Sequence, residues 1–124
     1  MTRINLVPVA ELSDQHVFAE WRELPRMASY ASKANPTSRP SKFTLGTGHM
    51  VFFLDKASWL ESRHRELTTE VLRRGYKLNN LTPFVMSRRF GDVLYTPSQE
   101  EVEISRQRIN QRLAEKPEFY TFNR

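Results

Sequence analysis

The chain has 124 residues, 39% of them hydrophobic, with a formal net charge of +5 and no cysteine. That length fits one domain with a modest core; no run approaches the ~20 apolar residues of a membrane span, and no charged-then-apolar leader opens the sequence. Disulfides and thiolate metal sites are excluded, and the expectation is a soluble, intracellular, monomeric protein with an anionic partner.

Residues 2–10 mix strand formers with Asn5 and Pro8 and read as an extended arm. Ser13 can cap a first helix, with Leu12 and Val17 at hydrophobic-staple spacing. Val17, Trp21 and Leu24 share its apolar face, Glu20 and Glu23 lie to either side, and Arg22 and Arg26 share another face. Pro25 predicts a kink, after which the helical pattern resumes as MASYASKA and stops at Asn35-Pro36. Residues 35–42, NPTSRPSK, form a proline-rich loop. The run FTLGTGHMVFFLD is apolar and broken by two glycines, and its periodicity fits a buried strand and a buried helical turn equally.

Asp55 is the expected N-cap of a second helix from Lys56 to Arg74, closed by Gly75. Trp59, Leu60, Leu67, Val71 and Leu72 make its core face, with Arg63, Arg65, Arg73 and Arg74 on its surface. Residues 76–95 form a long irregular connection, the usual form of a functional loop. Thr96-Pro97-Ser98-Gln99 resembles a capping box with proline at the first helical position. A third helix then runs to about Lys116, with Val102, Ile109 and Leu113 inward, and Pro117 ends it. Phe119, Tyr120 and Phe122 mark the tail as either a lid on the core or a stacking surface. The sum is an all-α single domain over 1–124: three main helices, long irregular loops and an extended arm that needs a groove, the natural one lying between the first and third helices.

Charge is unevenly spread. Residues 27–95 hold 11 Lys/Arg against 5 Asp/Glu, whereas 1–26 hold 3 against 4 and 96–124 hold 5 against 5. An excess of this kind is a solvated surface or the footprint of a nucleic acid. His16, His49 and His64 lack metal-ligand spacing, so neither metal nor cofactor is expected, and His49 reads as a hydrogen-bonded structural histidine. No nucleophile elbow is present.

Two residues carry possible chemistry. Thr2 is small enough for initiator-methionine removal, which leaves an α-amine with a reference pKa near 7.7–8.0, a nucleophile at neutral pH. Amines attack sugar C1′ or carbonyl carbon to form Schiff bases and need a carboxyl group to move protons, a part Glu23 can fill. On the residues alone, Thr2 is equally an ordinary N-terminus and Glu23 a solvated carboxylate paired with Arg26. Arg3, Arg22 and Arg26 are either partners of Glu20 and Glu23 or phosphate ligands that lower the pKa of a neighbouring amine.

The opening TRINL, then AELSDQH, AEWRELPR, LGTGHMVFFLDK, LRRGY and a final helix ended by KPEFY resemble the phage endonuclease V family of pyrimidine-dimer DNA glycosylases. The likeness covers nearly the whole chain and is densest over residues 1–26. It implies that the arm lies between helices with Thr2 beside Glu23, that the Thr2 amine is the nucleophile, and that Glu23 is the essential acid/base. It also implies that Arg3, Arg22 and Arg26 face DNA, together with Gln15 and His16, although a capping role for Gln15 is as economical. The implied partner is double-stranded DNA carrying pyrimidine dimers or abasic sites. The chain departs from the family in a shorter tail, with phenylalanine where tyrosine and tryptophan are expected, and in a shorter, proline-richer loop after the first helix. The alternatives are a non-catalytic double-stranded DNA-binding protein that kept the fold, and a basic interaction domain unrelated to repair.

Overall fold

The computed structural model describes residues 2–123; Met1, and with it the expected methionine removal, lies outside the described residues, as does Arg124. Among the described residues all regular structure is helical: a 3-10 turn at Val9–Glu11, then α1 (Asp14–Glu23), α2 (Arg26–Lys33), α3 (His49–Phe52), α4 (Ala57–Arg73) and α5 (Gln99–Glu115). This is the expected all-α domain, with the ambiguous GTG-containing run resolved as the short α3.

α1 begins where expected, the Ser13 hydroxyl accepting from the His16 backbone N–H at 3.1 Å. Pro25 does more than kink the helix. It supplies no N–H, so the ladder stops at Leu24 and α2 starts afresh at Arg26. α4 ends at Gly75, whose φ of +92° lets the Gly75 and Tyr76 N–H groups reach back to the Leu72 and Val71 carbonyls, a Schellman closure.

Four expectations on α4 and α5 need correction. Asp55 does not cap α4: its carboxylate pairs with Lys56 Nζ at 2.9 Å, and the capping oxygen comes from Asp92, which accepts from the Ser58 N–H at 2.9 Å. The capping box of α5 lies two residues later than expected, with Ser98 and Glu101 exchanging reciprocal 3.1 Å bonds. Leu72 is exposed, not core. Arg63 and Arg74 are not surface residues; both are buried in ion pairs. α4 is covered on more than one side, by α1 and by the arm, so its arginines find carboxylates and carbonyls where a free helix would have water.

The arm is the centre of the core. Ile4, Leu6 and Val7 are buried with Leu12, Val17, Leu24, Phe53, Leu60 and Leu67, and a polar group at each of positions 4 to 7 is met by a different element. Ile4 N–H donates to His49 Nε2 (2.9 Å), Asn5 Nδ2 to Glu20 Oε1 (2.9 Å), and Leu6 N–H to Ser105 Oγ (3.0 Å). The Val7 carbonyl accepts from Arg63 Nη1 at 2.6 Å. The groove therefore has the expected walls, α1 and α5, plus α3 and α4. Buried backbone groups in an arm with no ladder of its own need partners of this kind.

α3 is aimed at the arm by the glycine before it. Gly48 has φ +92°, and a Cβ there would stand 3.0 Å from Pro40 Cγ. Gly48→Ala should therefore cost about 1–3 kcal/mol for the left-handed backbone plus the contact with Pro40. Gly75→Ala, with open space around it, should cost only the backbone share. Urea midpoints of the two variants check the ranking.

Candidate active site

The end of the arm meets the end of α1. Thr2 is 2% exposed, and its hydroxyl donates to the Glu23 carbonyl at a long 3.4 Å. The Glu23 side chain, 23% exposed, has the Arg22 guanidinium 3.7 Å away. Glu23 therefore faces a solvent-accessible edge beside a buried arm terminus. The other acids of this helix are unavailable: Glu20 is held by Asn5 and by two bonds from Arg63, at 2.7 and 3.1 Å, and Asp14 is paired with Arg74 at 3.0 Å. Arg22 and Arg26 are exposed. The expected pairing of arginines with Glu20 and Glu23 thus survives only as the loose Arg22–Glu23 contact.

Arg3 lines a cleft of about 370 Å³ that it shares with His16, Arg108, Arg112 and Tyr120. Its Nη1 is buried without a hydrogen-bond partner. Burial first, then the like charges of Arg108 and Arg112, push the Arg3 pKa down, yet an arginine side chain stays charged in proteins. Three guanidinium groups around one cleft, one with an unmet N–H donor, form a site for an anion with several acceptor oxygens. A phosphate has that chemistry.

His16 and Tyr120 stack at 4.8 Å with an 11° interplanar angle and form the wall shared with a second cleft, of about 420 Å³, whose other sides include Gln15, Phe18, Arg22 and Phe119. Burial holds the His16 pKa below its ordinary value, with Glu20 pulling up and Arg112 down, so the ring is neutral near pH 7. Gln15 neither caps the helix nor points into solvent; its amide exchanges bonds with Thr121, at 3.2 and 2.9 Å, and pins the tail. Asp14 completes that anchor by accepting from Thr121 Oγ1 and from the Asn123 side chain and N–H. The tail is thus fixed to the start of α1, with Tyr120 as part of the cleft and Phe119 half open to solvent.

The structure brings Thr2, Glu23 and Arg22 together at one edge and Arg3 and His16 together in the cleft. Sequence reasoning missed Arg108 and Arg112, and left Tyr120 open between a lid on the core and a stacking surface. The basic excess of residues 27–95 misdirected it, because much of that charge is consumed internally: Arg63 by Glu20, Arg74 by Asp14 and Glu70, Arg88 by Glu61, and Arg89 by the carbonyls ending α2. Arg108 and Arg112, four apart on α5, were the available signal. Among the described residues no three His, Cys, Asp or Glu side chains are grouped so as to hold a metal, and no helix is long and apolar enough to cross a membrane.

A family model described as pyrimidine dimer DNA glycosylase matches residues 1–83. The matched segment takes in the arm, α1 to α4, and both Thr2 and Glu23. α5 and the tail, with Arg108, Arg112 and Tyr120, lie beyond it.

Proposed function

We propose, for a chain that belongs to the pyrimidine dimer DNA glycosylase family, that its chemistry is run by the α-amine of residue 2 with Glu23 as acid/base. The observation that carries this reading is the burial of the arm's end against the last turn of α1, which sets Thr2 beside Glu23 at a solvent-accessible edge. A buried, multiply tethered arm is what a reaction at a chain terminus needs, since a free terminus is otherwise mobile.

With Met1 removed, the amine attacks C1′ of the 5′ pyrimidine of a dimer. The C1′–N glycosidic bond breaks, and its electron pair goes to the base. Loss of an amine proton and departure of O4′, which takes up a proton, leave a protonated imine at C1′. Removal of a C2′ proton then expels the 3′ phosphate by β-elimination, and the strand is nicked. Glu23 is the group that gives and takes these protons. Arg22 and Arg26 engage backbone phosphates from the exposed side, and the Arg3, Arg108 and Arg112 cluster engages a further phosphate at the cleft. A nucleotide leaving the stack, as base repair in a duplex requires, has His16, Tyr120 and Phe119 as nearby stacking surfaces.

Borohydride trapping on abasic-site DNA tests the reading. The expected result is a covalent adduct whose digested peptide carries the modification at the amine of Thr2. An adduct on Lys33 or Lys42 with Thr2 unmodified overturns the N-terminal mechanism, and the absence of any adduct returns the reading to a non-catalytic DNA-binding protein.

A further inference from the structure

The arm has a charge-free anchor nearer to residue 2 than its buried ion pair. His49 is fully buried on α3, and its two ring nitrogens have unambiguous partners. Nε2 faces the Ile4 N–H at 2.9 Å, which can only donate, and Nδ1 faces the Thr44 carbonyl at 2.8 Å, which can only accept. Both contacts are satisfied by one state alone, the neutral ring with its proton on Nδ1. Phe43 and Phe53 pack edge-on against the ring at 5.4 and 5.5 Å and fix its plane. Ile4 N lies two residues from the N-terminus of residue 2, a reach of about 7 Å of extended chain. Among the described residues, no hydrogen bond of the arm's backbone to another element lies closer.

We infer that His49 is a positioning residue for the amine of residue 2: its neutral ring sets the placement of the arm at Ile4, and a second proton on the ring releases it. This rests on the reading of that amine as the nucleophile. The imidazolium carries N–H on both nitrogens, so Nε2–H would oppose Ile4 N–H, donor against donor, in a buried site. The charged groups facing the ring are Arg3 from the arm, which disfavours the added proton, and Glu20 from α1, which favours it. Burial is the largest influence and also disfavours it. The ring is therefore neutral at pH 7 and protonates only below the ordinary histidine range. Misplacement of a reacting atom by about 1 Å can cost a hundredfold in rate, so the released arm loses turnover before it loses DNA.

The test is single-turnover trapping and nicking of abasic-site duplex across pH 5–8 by wild type, His49→Leu and His49→Gln. His49→Leu removes the acceptor, and its single-turnover rate should fall by about tenfold or more with duplex affinity within about threefold. In His49→Gln an amide oxygen reaches the Nε2 position and does not titrate, so most of the rate should return. Protonation of the N-terminal amine slows all three proteins alike, so the ratio of wild-type to His49→Gln rates isolates the ring. That ratio should be flat near neutrality and fall at acid pH. A ratio flat throughout, with the adduct still on residue 2, overturns the role of His49 alone. An adduct on a lysine overturns the nucleophile reading independently of His49. Should either variant fail to fold, wild type decides: the ring must show the Nδ1–H tautomer by nitrogen NMR, and exchange of the Ile4 amide must accelerate as the ring gains its second proton. An Nε2–H ring, or Ile4 protection unchanged through that titration, overturns the inference.

Discussion

Adding one residue ahead of Thr2, or blocking removal of Met1, should abolish trapping and nicking together while leaving duplex binding measurable. The expected loss follows from the way the arm is held. Ile4, Asn5, Leu6 and Val7 are each tied to a different element, so an added residue cannot be absorbed by sliding the arm inward. It must instead push the amine outward by about 3.3–3.6 Å, several times the misplacement that costs a hundredfold in rate. Thr2→Ser and Thr2→Ala should by contrast keep activity, because both leave the same amine in the same place. The hydroxyl they alter makes only a 3.4 Å contact with the Glu23 carbonyl. Glu23→Gln belongs beside them as the complementary control: strand cleavage lost, affinity within a few-fold. Mass spectrometry of the N-terminus must accompany each rate, since a variant with uncleaved Met1 would mimic the extension.

The parts of this site that were legible in the sequence are those with local causes. Ser13 three residues before His16, Pro25 inside a helical pattern, and Gly75 after a helical run each act through the backbone within a turn, so their effects could be read from spacing. The parts that were not legible are long-range. Arg63 and Arg74 sit on a helix whose spacing suggests a charged outer surface. Their partners Glu20 and Asp14 lie on α1, and no periodicity within α4 can reveal that a second element covers it. Asp92 belongs to the irregular connection of residues 76–95 and caps α4 from 34 residues away in the chain. Gln15 looked like a helix-start residue and turned out to hold the tail. The placing of Thr2 beside Glu23 was legible through resemblance, whereas the Arg3, Arg108 and Arg112 cluster appears only when the arm and α5 are set side by side.

The buried ion pair beneath the arm should separate stability from catalysis. Glu20 and Arg63 have side-chain exposures of 1% and 5%, and Arg63→Met would leave the Glu20 carboxylate buried with Asn5 as its remaining partner. Breaking one side of such a pair costs about 3–5 kcal/mol, a large share of the 5–15 kcal/mol typical of a domain. Thermal unfolding should therefore move down by on the order of 10–20 °C, and Glu20→Gln should do nearly the same by stranding the guanidinium. The double variant Glu20→Leu with Arg63→Met removes both charges and fills much of their volume, and replacing a buried pair with apolar groups is often neutral or stabilising. Its unfolding temperature should recover most of the loss. Its activity should not, because Asn5 Nδ2 and the Val7 carbonyl lose their partners and the arm is left with His49 and Ser105 alone. The acid side gives an independent check. Asp14 and Glu70 have pKa values below the ordinary carboxylate range: at Asp14 burial pulls upward and is outweighed by bonds from Thr121, Asn123 and Arg74, while at Glu70 the bond from Arg73 leads. Depressed carboxylates contribute stability that is present above their unfolded pKa and lost as pH falls through the folded one. Wild type should thus lose stability progressively below about pH 4, with the part due to His49 going earlier, as pH falls below about 6.5. A double variant that regains both its unfolding temperature and wild-type nicking would show that Glu20 and Arg63 serve the fold alone, and that the arm needs no charge beneath it to place its amine.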